Sequence, residues 1–235
     1  MKSTLLKWLA IAAAALSLAA CSLDKDGYDP NIMFPSAVVT VKPDATNDSF
    51  YMQLDEETVL HAVNLKKSPF GTKEVRALVN YRKPSSSEFQ QGGLQDDANN
   101  VYVNWLDSIL TKKTVTSLGE DLDKQNYGSD PVEIFGDWST VVEDGYMTLH
   151  FQTNWGPGHI QHTVNLVTGT DPSNPYKVVF RHNANGDYYG NAGDALVAFS
   201  LKDLPNTMGE TVDLTLEWNS FSGVKTATFK YRTRD

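Results

Sequence analysis

"ETVDLTLEWNSFSGVKTATFKYRT", residues 210–233, decides the class of fold. Val212, Leu214, Leu216 and Trp218 fall on alternate positions, and Ala227, Phe229 and Tyr231 answer them beyond the "NSFSG" turn. Successive side chains of a strand point to opposite faces, so each run is a strand with one buried face. A helix would space its apolar residues three and four apart. The same period runs upstream. Met147, Leu149 and Phe151 share one side of "GYMTLHFQTNW" (145–155), with Tyr146, Thr148 and His150 on the other. "PVEIFGDW", "HIQHTVNLV", "YKVVFRH" and "ALVAFSLK" complete about seven strands, the pattern of a β-sandwich over 131–235.

The first half alternates too, in longer and more closely spaced runs. They are "SAVVTVK" (36–42), "SFYMQLD" (49–55), "ETVLHAV" (57–63), "KEVRALVNYR" (73–82) and "VYVNWLDSILTK" (101–112). Phe50, Met52 and Leu54 share one face of the second, and Val75, Ala77, Val79 and Tyr81 one face of the fourth. Five such strands suit a small closed barrel, placed at 36–116. "KPSSSEFQQGGLQDDANN" (83–100) reads as a polar loop, and the acidic, Gly- and Pro-punctuated segment 117–130 as a linker. No segment carries a convincing amphipathic helix. The chain is all-β, with 235 residues, 40% hydrophobic and 21% charged, enough for two small domains.

Residues 1–20 belong to neither domain. Lys2 and Lys7 precede an Ala-rich apolar run that ends in Leu18-Ala19-Ala20-Cys21. The run is too short for a confident membrane span, which needs about 20 apolar residues, and fits a secretory signal peptide. Its end resembles the bacterial lipobox. In that motif small residues admit a peptidase to an extended backbone, and the Cys thiol and freed amine are then acylated. Cys21, the only cysteine, is the expected lipidation site, and several acyl chains hold a protein on a membrane where one does not. Residues 21–35 form a tether. Ser22 is unlike the Asp usual for inner-membrane retention. Asp24, Asp26 and Asp29 make a loose acidic patch interrupted by Lys25, so an outer-membrane location is expected with the periplasmic or external face left open. The net charge of −9 grows more negative when Lys2 and Lys7 leave with the signal peptide. That disfavours nucleic acid as a partner, because phosphate backbones are gripped by clustered Lys and Arg.

The segments "LVNYRK" (78–83), "ILTKK" (109–113), "DPVEIFGDW" (130–138), "GYMTLHFQ" (145–152) and "VVFRHNANGD" (178–187), together with the lipobox, resemble the NigD-like lipoproteins of Gram-negative anaerobes. The resemblance runs from Cys21 to at least Leu201. It implies an N-terminal OB-like five-stranded barrel followed by a C-terminal β-sandwich. The family takes its name from a gene in a bacteriocin operon, which implies a binding or immunity role, and it offers no catalytic residues to carry over. An acidic run directly after the Cys is common in the family, whereas here Ser22 and Leu23 come first.

The candidate chemistry is sparse. His159 and His162 have a spacing that serves metals on helices, but on a strand residues three apart face opposite sides. With His150 and His182 they are the material of a zinc site and hence of a metal-dependent hydrolase; structural histidines are the expectation. "NANGD" (183–187) has oxygens at alternate positions, as in a calcium loop, yet it lacks an entering helix and a distal Glu. Asn185-Gly186 is instead the strongest short signal for a type I′ turn, read as a hairpin tip at which Arg181 pairs with Asp187. Glu56 and Glu57 lie in a turn and look solvated. There is no Gly-x-Ser-x-Gly. No enzyme activity, cofactor or metal is expected. Trp155 in "NWGPGH" and Tyr188 and Tyr189 after the turn are candidate partner-binding aromatics, with Arg181, His182 and Asp187 beside them. The alternative to a protein partner is a glycan.

Overall fold

The computed structural model describes residues 33–92, 97–158 and 160–234. The signal peptide, Cys21 and the tether up to residue 32 lie outside the described residues, as does His159. No helix among those described is long and apolar enough to cross a membrane.

Five strands close into a barrel in the order β1-β2-β3-β5-β4. They are β1 (Ala37–Pro43), β2 (Phe50–Gln53), β3 (Val59–Ala62), β4 (Val75–Arg82) and β5 (Asn100–Ser108). The short helix α1 (Ser86–Gly92) lies within the segment read as polar loop. The inward faces of β2 and β4 are those the alternation gave, Phe50 and Met52 from β2 and Ala77 and Val79 from β4, with Leu54 and Tyr81 packed against them; Val101 and Val103 of β5 join this core. Fully burying one such side chain contributes roughly 1.5–3 kcal/mol. β3 and β5 run parallel, and Asn64 lengthens that seam by exchanging two hydrogen bonds with the backbone of Val103, at 2.8 and 2.9 Å.

Two sheets follow. One has the order β6-β13-β10-β8, with β9 also on β10; the other runs β15-β14-β12-β11-β7. The strands are β6 (Leu110–Lys113), β7 (Val115–Thr116), β8 (Glu133–Ile134), β9 (Val141–Glu143), β10 (Tyr146–Trp155), β11 (Thr163–Thr168), β12 (Lys177–Asn183), β13 (Asn191–Ser200), β14 (Val212–Ser220) and β15 (Gly223–Tyr231). Their inner faces meet in one core containing Met147, Leu149, Phe151, Leu214, Leu216 and Trp218.

Two expectations need correction. Residues 110–116, expected within the barrel, pair in the sandwich instead: Leu110 with Val197 and Val115 with Val167. Alternation reveals a strand but not its partner, and these partners lie far along the chain. The segment 117–130, read as a linker, carries α2 (Glu120–Tyr127), which packs on β11 and β12. Its Asp123 is buried and accepts hydrogen bonds from the Ser117 hydroxyl at 2.6 Å and the Leu118 N–H at 2.7 Å.

The chain passes from barrel to sandwich through a single residue, Ile109. It is buried with Val38 of the barrel and Ala198 of the sandwich, and its N–H donates to the carbonyl of Arg76 at 2.8 Å. Thr148, on the face of β10 opposite the core, is therefore fully buried, because the barrel covers it. Arg76 sits in the middle of this junction with 0% exposure. Its guanidinium donates to Thr40 Oγ1 at 3.0 Å and Thr148 Oγ1 at 3.4 Å, approaches Glu143 at 3.9 Å and stands 5.8 Å over the Tyr146 ring. Burial lowers its pKa to about 10, and the carboxylates of Glu143 and Asp144 oppose that shift. Lys42–Asp144 at 2.7 Å and Arg234–Glu74 at 2.8 Å flank it.

Removing one partner of a buried polar cluster is costly, while an apolar isostere can be nearly neutral. Arg76→Ala is expected to lower the unfolding free energy by about 2–4 kcal/mol, and Arg76→Met by less. Urea unfolding followed by tryptophan fluorescence checks this. A loss below about 0.5 kcal/mol for Arg76→Ala would show that the junction does not depend on the guanidinium.

Candidate functional site

The most chemically loaded part of the molecule is the end of the sandwich where β12 turns towards β13. Asn185 and Gly186 both have positive φ, 51° and 86°, and the Asp187 N–H donates to the Ala184 carbonyl at 3.0 Å. The expected type I′ turn is present. The expected hairpin is not, because β12 and β13 belong to different sheets. β12 already has β11 on one edge and β14 on the other, which leaves no edge for the chain to return along. It crosses to the facing sheet instead.

Asp187, the last residue of the turn, is buried against the other sheet. It accepts the Gly156 N–H at 2.9 Å and lies 3.3 Å from Nε2 of His162. Nδ1 of His162 is 2.9 Å from Nε2 of His182, and the Trp155 ring stacks on His162 at 4.1 Å. The backbone must come very close here. A side chain on Gly156 would strike the Asp187 carboxylate, and one on Gly190 the Trp155 carbonyl. Asp187 acts as acceptor, so His162 donates from Nε2. His162 Nδ1 then accepts from His182 Nε2–H. That leaves His182 Nδ1 as a bare acceptor, and it is indeed buried without a partner. His182 is 1% exposed, and burial first and the neighbouring His162 second lower its pKa to about 4.

The other candidates lie elsewhere. His150 belongs to a separate group, with Nδ1 2.6 Å from Asp137 and Nε2 3.4 Å from Asp194. Among the described residues no three His, Cys, Asp or Glu side chains are placed to hold a metal ion. Arg181 does not meet Asp187. Strand alternation puts it on the face opposite His182, where its charge helps, after Lys124, to hold the Glu120 carboxyl below its ordinary range. Glu56 faces Arg232 at 3.6 Å.

Trp155 is half-buried, and its indole N–H donates to the Gly193 carbonyl at 3.0 Å. It supports the turn and is not an open ring. Tyr188 and Tyr189 are 48% and 86% exposed and meet edge to face at 6.3 Å. Beside Tyr188 lies a recess of about 140 Å³ lined by Pro131, Asn154, Ala184 and Phe221. Phe221, 54% exposed, was not singled out from the sequence, although a large apolar residue in "NSFSG" was a signal for it. The Arg76 cluster was also missed, since nothing in "KEVRALVNYR" says that its outer face is covered.

Because His182 is neutral in the fold and protonates more readily when unfolded, its contribution to stability is full above pH 6.5. It declines as pH falls towards 4, by up to about 3 kcal/mol. The wild type is expected to lose more unfolding free energy between pH 7 and pH 4.5 than His182→Gln does. Equal losses in paired urea titrations would contradict this.

Family models match both halves: the NigD-like N-terminal OB domain over residues 38–109 and the NigD-like C-terminal β-sandwich domain over residues 113–231. A solved structure from Parabacteroides distasonis, provisionally described as toxin related, is 34% identical, covers 84% of this chain and 92% of its own, and superposes with a TM-score of 0.66. A Bacteroides vulgatus protein of unknown function is 23% identical over 83% of this chain and 89% of its own, with a TM-score of 0.64. A NigD-like immunity protein from Bacteroides caccae is 18% identical over 85% of this chain and 98% of its own, with a TM-score of 0.58. At these lower identities the last two speak for the fold alone. No curated protein matches the chain. The chain belongs to the NigD-like family, an OB barrel joined to a β-sandwich.

Proposed function

We propose that this chain is a non-enzymatic, lipid-anchored protein of the Gram-negative cell envelope that binds a protein partner through the β12–β13 end of its sandwich. The observation that carries the reading is the exposure of Tyr188 and Phe221 on one apolar recess, with the exposed Tyr189 ring against Tyr188. Leaving such rings in water is unfavourable, and aromatic clusters of this kind supply much of the energy of protein interfaces. The turn beneath them is rigid, held by Asp187, by Asn185 Nδ2 on the Gln161 carbonyl at 2.6 Å and by the Ala184 N–H on Asp130 at 2.7 Å. A pre-ordered platform loses less entropy on binding. The His162–His182 pair supports the non-enzymatic reading, since three of its ring nitrogens face each other or Asp187 and the fourth, Nδ1 of His182, is buried.

The role we assign is protection, in the sense of bacteriocin immunity. It draws on the family and on the words attached to one relative, provisionally called toxin related. Anchoring rests on Cys21, with the outer membrane as the expected site. A glycan-binding role would use the same two tyrosines, without Trp155.

Two outcomes are expected. Cys21→Ala releases the protein from the membrane fraction; a variant that stays bound removes the anchor. A strain lacking the gene becomes sensitive to its own toxin. Tyr188→Ala/Tyr189→Ala fails to restore survival, while its unfolding free energy stays within about 0.5 kcal/mol of wild type. Full protection by that double variant, or no sensitivity in the deletion strain, sinks the reading.

A further inference from the structure

A second concave surface lies where the barrel meets the sandwich, far from the tyrosines in its chemistry. It is a cleft of about 410 Å³ lined from both units: Glu74 before β4, Thr111 and Lys113 of β6, Ser200 and Lys202 at the end of β13, and Arg234 beyond β15. Lys113 and Ser200 are partners in the parallel register of β6 and β13. Thr111 and Lys113 are two apart, as are Ser200 and Lys202. Strand alternation therefore sets Thr111, Lys113 and Ser200 on one side, and Lys202, in the turn after β13, lines the same cleft. Of the residues between them, Lys112 also lines the cleft, but its Nζ reaches the Val164 carbonyl, and Leu201 is fully buried.

The charge balance of this cleft is opposite to that of the chain. The protein carries 29 acidic against 20 basic residues. Among the described residues Glu74 is the only acid lining the cleft, and it is already engaged. Its Oε1 accepts from Tyr146 at 2.6 Å, and both its oxygens accept from Arg234, at 2.8 and 3.2 Å. Asp203, next to Lys202, does not line the cleft; it accepts from Thr114 at 3.5 Å. Among the described residues neither Lys113 nor Lys202 is paired with a carboxylate, and both line a concavity that concentrates their field. Unpaired cations that share a cleft repel, and a dianion between them reverses that repulsion. The Ser200 hydroxyl adds a donor for its remaining oxygens, while the Thr111 hydroxyl is spent on the Ile109 carbonyl at 3.0 Å.

We propose that this cleft binds a doubly charged oxyanion of the phosphate monoester type, held between Lys113 and Lys202 with Ser200 as a further donor. The site is independent of the tyrosine platform, so its failure leaves that reading untouched. Free phosphate and the phosphate of a lipid headgroup share this chemistry. They differ in charge, because a headgroup diester carries only one negative charge.

The test is a ³¹P NMR titration of the full chain with inorganic phosphate, and in parallel with glycerophosphoglycerol, a soluble headgroup diester. Inorganic phosphate is expected to bind the wild type in preference to the diester. Lys113→Ala and Lys202→Ala should each weaken it roughly tenfold, and Lys113→Glu/Lys202→Glu should abolish it. Lys66→Glu, an exposed charge reversal outside the cleft, should leave it unchanged. All three lysines are exposed, so thermal melts of the variants without ligand should match wild type and separate lost binding from lost folding. Absence of phosphate binding by wild type, or equal binding by the double charge reversal, overturns the site. Tighter binding of the diester overturns the dianion assignment and makes the headgroup the source.

Discussion

The guanidinium of Arg76 is buried where two all-β units meet, and the arrangement of those units follows from its satisfaction. A buried charge is tolerated only when hydrogen bonds and opposite charges surround it. Arg76 draws these from both sides of the junction. Thr40 comes from the neighbouring barrel strand, and Thr148, Glu143 and Tyr146 come from the sandwich. The outer face of β10 thus becomes an inner surface. A slip of one residue in β10 would exchange Thr148 for an apolar neighbour and send Met147 or Leu149 out of the core. The polar contact and the sandwich core therefore fix the same register.

The turn between β9 and β10 completes the junction. Asp144 and Gly145 both have positive φ, 49° and 73°, and Glu143 pairs with Tyr146 across them. This two-residue turn carries the Asp144 carboxylate to Lys42 of the barrel at 2.7 Å. Ion pairs on open surface contribute little, but Asp144 is almost wholly buried, so its loss would strand Lys42. The basic cleft is a by-product of the same geometry, since Glu74 is drawn into Tyr146 and Arg234 and leaves the two lysines of the rim unpaired.

At the opposite end, the β12–β13 crossing combines a rigid base with an open tip. His162, His182 and Asp187 form the buried base, with the half-buried Trp155 stacked on it. The tyrosines follow within two residues and are exposed. A histidine pair with an aspartate has the look of chemistry in a residue list, yet here it is a polar strut spanning two sheets. The alternation that sends Arg181 outward and His182 inward is the reason the strut contains no arginine.

Much of this was legible in the sequence. Alternation named the core stripes of both halves, because side-chain direction along a strand is a local property. Asn185-Gly186 named its turn for the same reason, and Asp144-Gly145 offered an equal signal that went unread. Strand partners are not local. The sequence could not tell that 110–116 leaves the barrel, that β12 has no free edge, or that the outer face of β10 is covered. Those facts depend on which distant segment occupies each edge and face. Composition determined an acidic, cysteine-poor chain, and alternation an all-β one. Only the tertiary structure decided where its few buried charges are satisfied, because that requires groups as far apart in sequence as Arg76 and Thr148 to meet with water excluded.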